Sequence, residues 1–181
     1  MILLDKTYFQ GILNLPNISY NDREGLGSLM QSVGESNLNY FIAKYEPECL
    51  SLILGEDLYS AFIDGLYEDP NNEIWINMKD ALFRKEGKYG FSPVANYVYF
   101  YAMKDSRSKT TPKGEISEAS SFSESKDNQF KMINAWNDMC TQVFRFRKNF
   151  LLKNWADYKV YANGLDVRIC GVFEPINALD I

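Results

Sequence analysis

From Asn128 to Asn154 the chain runs without a glycine or a proline, and this stretch does most to limit the folds open to it. Uninterrupted, it makes one helix of about 40 Å at a rise of roughly 1.5 Å per residue. Its apolar positions, Met132, Ile133, Trp136, Met139, Cys140, Val143, Phe144, Phe146, Phe150 and Leu151, cover more than half of the circumference. A face that broad has to be buried against other elements. Arg147 falls in the middle of it. Two readings stand open for that cation: a buried stem with its head led out to solvent at the core's edge, or an ion pair with an acid on another helix or subunit.

Helical spacing also governs the first half of the chain. Leu38, Phe41, Ile42, Tyr45, Cys49, Leu52 and Ile53 step by three or four residues, starting near Ser36. Pro47 interrupts that series. A proline inside a helix costs roughly 3 kcal/mol, whereas in the first turn it is harmless. The spacing therefore predicts a break or kink near Tyr45 and a new helix with Pro47, Glu46 and Glu48 at its start. Gly55 then ends that piece, and Glu56 and Asp57 open a third whose face is Leu58, Phe62, Ile63 and Leu66. Asp69-Pro70-Asn71-Asn72 reads as a turn, followed by a short helix marked by Ile74, Trp75, Met78, Leu82 and Phe83. Ser92-Pro93 is a helix-start signal, an N-cap followed by proline in the first turn. The helix it opens, VANYVYFYAM, is apolar nearly all round, and belongs either at the domain centre or between subunits.

The remaining segments carry less order. Residues 1–35 are punctuated by Asn, Gly and Pro and read as an irregular arm, packed on its own domain or docked on a neighbour. KEGKYG (85–90) reads as a loop. Residues 105–126, rich in Ser, Lys and Glu, read as a flexible loop. After Trp155 the periodicity shortens around Asn163-Gly164, the pair most typical of a tight hairpin turn. The expected fold is thus mainly α: a bundle of short broken helices with one long C-terminal helix, in a single domain over 1–154. A small β-hairpin or extended tail over 155–181 closes the chain.

Charge and composition narrow function mostly by exclusion. The net charge is −5 and the sequence pI about 4.9, which disfavours binding to a phosphate backbone or an anionic lipid surface. Cys49, Cys140 and Cys170 lie far apart, with no CxxC pair, as free thiols of a reducing compartment do. The N-terminus lacks the apolar core of a signal peptide, and no run is long enough to span a bilayer, so the chain is expected to be soluble and intracellular at synthesis.

Histidine is absent, which removes the commonest general base and metal ligand together with every Ser-His-Asp or Cys-His site. The acid pairs Glu46/Glu48, Glu56/Asp57 and Glu68/Asp69 all fall at expected helix starts or turns, where capping accounts for them. Gly25-Leu26-Gly27 lacks the next glycine and the preceding strand of a dinucleotide loop. Arg145, Arg147 and Lys148 alternate with Phe144, Phe146 and Phe150 as in single-strand binders, but those aromatics are better used in packing. No catalytic, cofactor-binding or metal-binding residue is expected.

Four stretches nonetheless form a distinctive order: LLDKTYF, then NYFIAKYEPECLSLILGEDLYSAF, then FSPVANYVYFYAM, then FKMINAWNDM. In that order the chain resembles head–tail connector (adaptor) proteins of tailed bacteriophages, in the variety found in phages of gut Bacteroidales, including the crAss-like group. The resemblance covers about two-thirds of the chain; YEPE followed by LG-x-x-LY, and SP-x-ANYVYF, are its most specific parts. It implies a helical virion subunit, not an enzyme and without cofactor, that forms a ring of commonly twelve copies beneath the portal protein. The ring would touch further neck or tail proteins and pass genomic DNA through its lumen without specific binding; no membrane is involved. Such a ring needs a heterologous contact between copies, for which Tyr97, Tyr101, Phe144, Arg147 and Phe150 are the candidates. By the same resemblance, the C-terminal segment 172–181 meets the portal or a neighbour through Phe173, Pro175, Ile176 and Leu179. Three alternatives remain: another stopper or ring layer of the same neck, a small helical protein-binding module, and an enzyme working with carboxylates alone.

Overall fold

The computed structural model describes residues 1–15, 26–106, 108–111, 114–117 and 122–177. The chain is mainly helical, as its periodicity predicts. Helix α1 spans Leu26–Leu54, α2 Glu56–Glu68 and α3 Glu73–Leu82. A short antiparallel hairpin follows, β1 (Arg84–Glu86) against β2 (Tyr89–Phe91), with Lys85 opposite Gly90. Helix α4 covers Pro93–Ser106. A second hairpin pairs β3 (Ser108–Thr111) with β4 (Gly114–Ser117). Helix α5 runs Phe122–Phe146 and widens into a π-helical turn over Arg147–Leu151, and α6 (Trp155–Tyr158) passes through a 3-10 turn (Lys159–Tyr161) into a strap without regular structure.

Local chemistry accounts for most of the boundaries. The Ser92 hydroxyl accepts from the Val94 amide at 3.1 Å, capping α4 as its sequence predicts. The Asn72 side chain accepts from the Ile74 amide at 3.1 Å and starts α3. Gly55 separates α1 from α2 with φ of 76°, a left-handed conformation open to glycine at little cost. Helix α4 is the centre of the molecule: Val94 to Phe100 are all buried, α1 and α5 pack along it, and of the two places open to an all-apolar helix it takes the domain centre.

Several expectations change. Pro47 lies inside α1, so the break foreseen at Tyr45 does not occur, and α1 begins well before Ser36. Ile42, Tyr45, Cys49, Leu50 and Ile53 are buried around the proline, and that packing offsets the hydrogen bond it cannot donate. Leu52, placed on the apolar face by spacing, is exposed. The loop foreseen over 85–90 is the turn and inner part of the β1–β2 hairpin, and the segment foreseen as a flexible loop over 105–126 holds β3 and β4 and the start of α5. Asn163-Gly164 makes a turn but no hairpin, leaving the extended tail as the form taken at the C-terminus.

Candidate interaction surface

Glu46 and Glu48, foreseen at a helix start, lie in the body of α1, and each fastens another segment to it. Glu46 is 1% exposed, and its two carboxylate oxygens accept from the backbone amides of Leu3 and Leu4, each at 2.8 Å. Burial raises its pKa, and the two amides partly offset that. The arm they hold buries Leu4, Tyr8 and Phe9, with the Tyr8 ring lying against Gly90 of β2. Burial pushes the Tyr8 hydroxyl up to about 12.

Glu48 accepts a 2.6 Å bond from the Tyr97 hydroxyl, which ties α1 to α4. Burial first, and then this bond, drives the Tyr97 pKa well above its ordinary value. Tyr97 is 1% exposed and lies among its own chain's Tyr45, Tyr101, Trp136 and Phe173. The ring and the hydroxyl, expected between subunits, both find partners within one molecule. Tyr101 is half-buried and stacks on Tyr45 with centroids 4.7 Å apart.

The two open readings of Arg147 are also corrected. The side chain is 3% exposed, so its head is not led out to water, and it meets backbone carbonyls instead of an acid. One terminal nitrogen donates to Ile53 O at 3.2 Å and the other to Asp166 O at 3.0 Å, while Nε is buried without a partner. Ile53 O belongs to the last turn of α1, whose carbonyls lack helical donors and carry the negative end of the helix dipole. Arg147 thus caps α1 and holds the strap; burial lowers its pKa.

Of the other expected contacts, Phe150 is half-buried between Phe146 and Tyr158, and only Phe144, 43% exposed, presents a large apolar surface. In the C-terminal segment Phe173 packs on Trp136, and the Asn137 side chain both donates to Ile176 O (3.0 Å) and accepts from Ile176 N (2.9 Å). Trp136 Nε1 donates to Glu174 O at 2.8 Å. Phe173 and Ile176 are therefore engaged within the chain, Pro175 is exposed, and Leu179 lies outside the described residues. The broad apolar faces of α4 and α5 are largely covered in a single copy.

Among the described residues two neighbouring grooves stand open, sharing Ala81 and Phe150. One, of about 460 Å³, lies between the end of α3, the β1–β2 hairpin and the end of α5, and carries Arg84, Arg145, Phe91 and Pro93 on its walls. The other, of about 430 Å³, is walled by Glu73, Asp157, Asn77 and Asn154. The spacing of Arg145 among phenylalanines signalled part of the first wall; Arg84 and Phe91 come from a segment read as loop, so the groove itself was invisible in the sequence. Among the described residues no group of three or more His, Cys, Asp or Glu is placed to hold a metal, and no helix is long and apolar enough to cross a membrane. Comparison with protein-family models, with curated proteins and with solved structures finds no match.

Proposed function

We propose that the chain is a structural subunit of a tailed-phage neck, a connector that forms a ring beneath the portal and lengthens the DNA channel. One observation carries this reading beyond the sequence. The four stretches on which the resemblance rests are far apart in the chain, yet they meet in one packing unit. Glu46 of the second clamps Leu3 and Leu4 of the first, Glu48 of the second bonds Tyr97 of the third, and Trp136 of the fourth lies 4.7 Å from Phe100 of the third. Motifs that work as one core unit are what a shared scaffold requires, and none of these residues needs a substrate to explain it.

The covered faces of α4 and α5 change how such a ring holds together. Contact between copies then falls to groups still exposed on each complete subunit, which suits a protein that folds alone and assembles on a portal template. The same self-sufficiency supports the second reading, a helical module that grips one partner in a groove. Cryo-electron microscopy of particles, with mass spectrometry of their proteins, tests the first. The expected result is this chain in a ring layer directly below the portal; particles that lack it overturn the reading and leave the binding module.

A further inference from the structure

Two surface features on opposite ends of α3 are complementary to each other. The first is a knob just before α3. Tyr67 is 81% exposed, and Asp64, Glu68 and Asp69, all exposed, surround it in the last turn and cap of α2. Trp75 packs tightly beneath Gly65 on the other side of this turn, so the helix end is firmly seated and the tyrosine faces away from the core. That end of α2 has the wrong charge. A helix C-terminus favours cations, and this one has no basic residue in its last turn.

The second feature is the groove at the far end of α3, a helix of 10 residues that is about 15 Å long. Arg145 is exposed on its wall and makes no ion pair among the described residues. Arg84 lies over the Phe91 ring at 5.1 Å, with Nε 3.4 Å from Glu86. Phe91 and Phe150 supply aromatic surface on the walls of the same groove. Such a groove is built for an aromatic side chain carried on an acidic segment: the ring lies on phenylalanine and arginine faces while the carboxylates meet the guanidinium groups.

We infer that the groove holding Arg84 and Arg145 receives the Tyr67 knob of a second copy of this chain. Because knob and groove are different patches, the contact is head-to-tail and repeats from copy to copy. The inference rests on the ring reading and names the surface that makes it. It also accounts for the mis-charged end of α2, whose acids are compensated when the neighbour's arginines arrive.

The test is thiol cross-linking. Asn71→Cys, on the exposed turn beside the knob and leaving Tyr67 and its acids intact, and Asn149→Cys, on the groove wall, are combined in a Cys170→Ser background and treated with a short bismaleimide at increasing protein concentration. The expected product is a ladder of dimer, trimer and larger species. Arg145→Glu added to this chain should cut the trimer and larger species about tenfold, as like charges across a contact do, and Glu68→Arg on top should restore them. A product that stops at the dimer, a ladder indifferent to Arg145→Glu, or no cross-link at any concentration overturns the contact. A ring seen in particles without the ladder leaves the ring reading standing and removes this interface. The ladder without the chain in particles does the reverse.

Discussion

The two ends of the chain are fastened to the same helix by opposite charges. Near the middle of α1, the Glu46 carboxylate takes two amides of the N-terminal arm, and both oxygens are satisfied. At the end of α1, the Arg147 guanidinium takes one carbonyl of the helix and one of the C-terminal strap, and its Nε stays unpartnered. A buried charge is costly unless its hydrogen-bonding groups are met. The arm clamp meets that condition in full and the strap clamp in part, so the arm is the more strongly specified of the two. The strap compensates with a second fastening at Asn137 that needs no charge.

The largest effect should come from removing the complete clamp. Glu46→Ala leaves the amides of Leu3 and Leu4 without acceptors in a buried setting, at about 1–3 kcal/mol each. Chemical denaturation should register a loss of roughly 3 kcal/mol or more, and limited proteolysis should cut within residues 1–15. Next comes Arg147→Met, which abandons two carbonyls but also removes a charge that is only partly met. Its expected cost is smaller, about 1–2 kcal/mol, with new cleavage in the strap and none in the arm. If Arg147→Met costs more than Glu46→Ala, the ranking of the two clamps is wrong.

This pair also shows what a sequence can and cannot disclose. Helix α4 and its cap at Ser92, the stop at Gly55 and the turn before Asn72 were legible because each depends on neighbours in the chain. Glu46 was misplaced because Pro47 was read as a helix start. Had the helix been carried through, Glu46 would have fallen four residues from Ile42 and three from Cys49, on the buried face, and a carboxylate there demands a partner. Packing on both sides of Pro47 overrode a local penalty, which no local rule reveals. Arg147 was visible as an anomaly, but its partners are carbonyls, and carbonyls leave no mark in a sequence. Asn163-Gly164 failed for a related reason. Its turn forms, but an isolated hairpin is marginal, and the residues after it bond to Arg147, Trp136 and Asn137 instead. Of the expected contact residues chosen for apolarity on α4 and α5, Tyr97 is needed wholly inside and Tyr101 and Phe150 in part, since the property that suits an interface also suits a core; Phe144 alone stays exposed.

The second fastening of the strap gives a finer test. Asn137→Ala deletes both bonds to Ile176 at a half-buried site, for about 1 kcal/mol. The strap should then be cleaved between Val172 and Asn177 while the arm stays protected. Combined with Arg147→Met, the loss should be close to additive if the two fastenings act independently. A combined loss well short of additivity would mean that the strap detaches as one unit once either hold is gone.

The smallest effect is a dependence on pH, and its sign follows from burial. Because the folded pKa of Glu46 lies above its ordinary value, between the two the folded chain keeps a proton that the unfolded chain has released. Folding stability therefore falls as pH rises through that window, starting from about 4.5, and becomes level above the folded pKa. Acidification through the same window strengthens this site, the reverse of what a surface salt bridge would do. Other carboxylates titrate nearby, Asp5 among them with the opposite shift, so the useful quantity is a difference. Urea midpoints of the native chain and of Glu46→Gln should diverge as pH rises from the acid side, with the native chain losing ground relative to the variant until the folded pKa is passed. Parallel curves would show that the two amides compensate the burial of Glu46 completely, and the contrast with Arg147 would then be sharper still, one charge at no cost beside another that is only partly met.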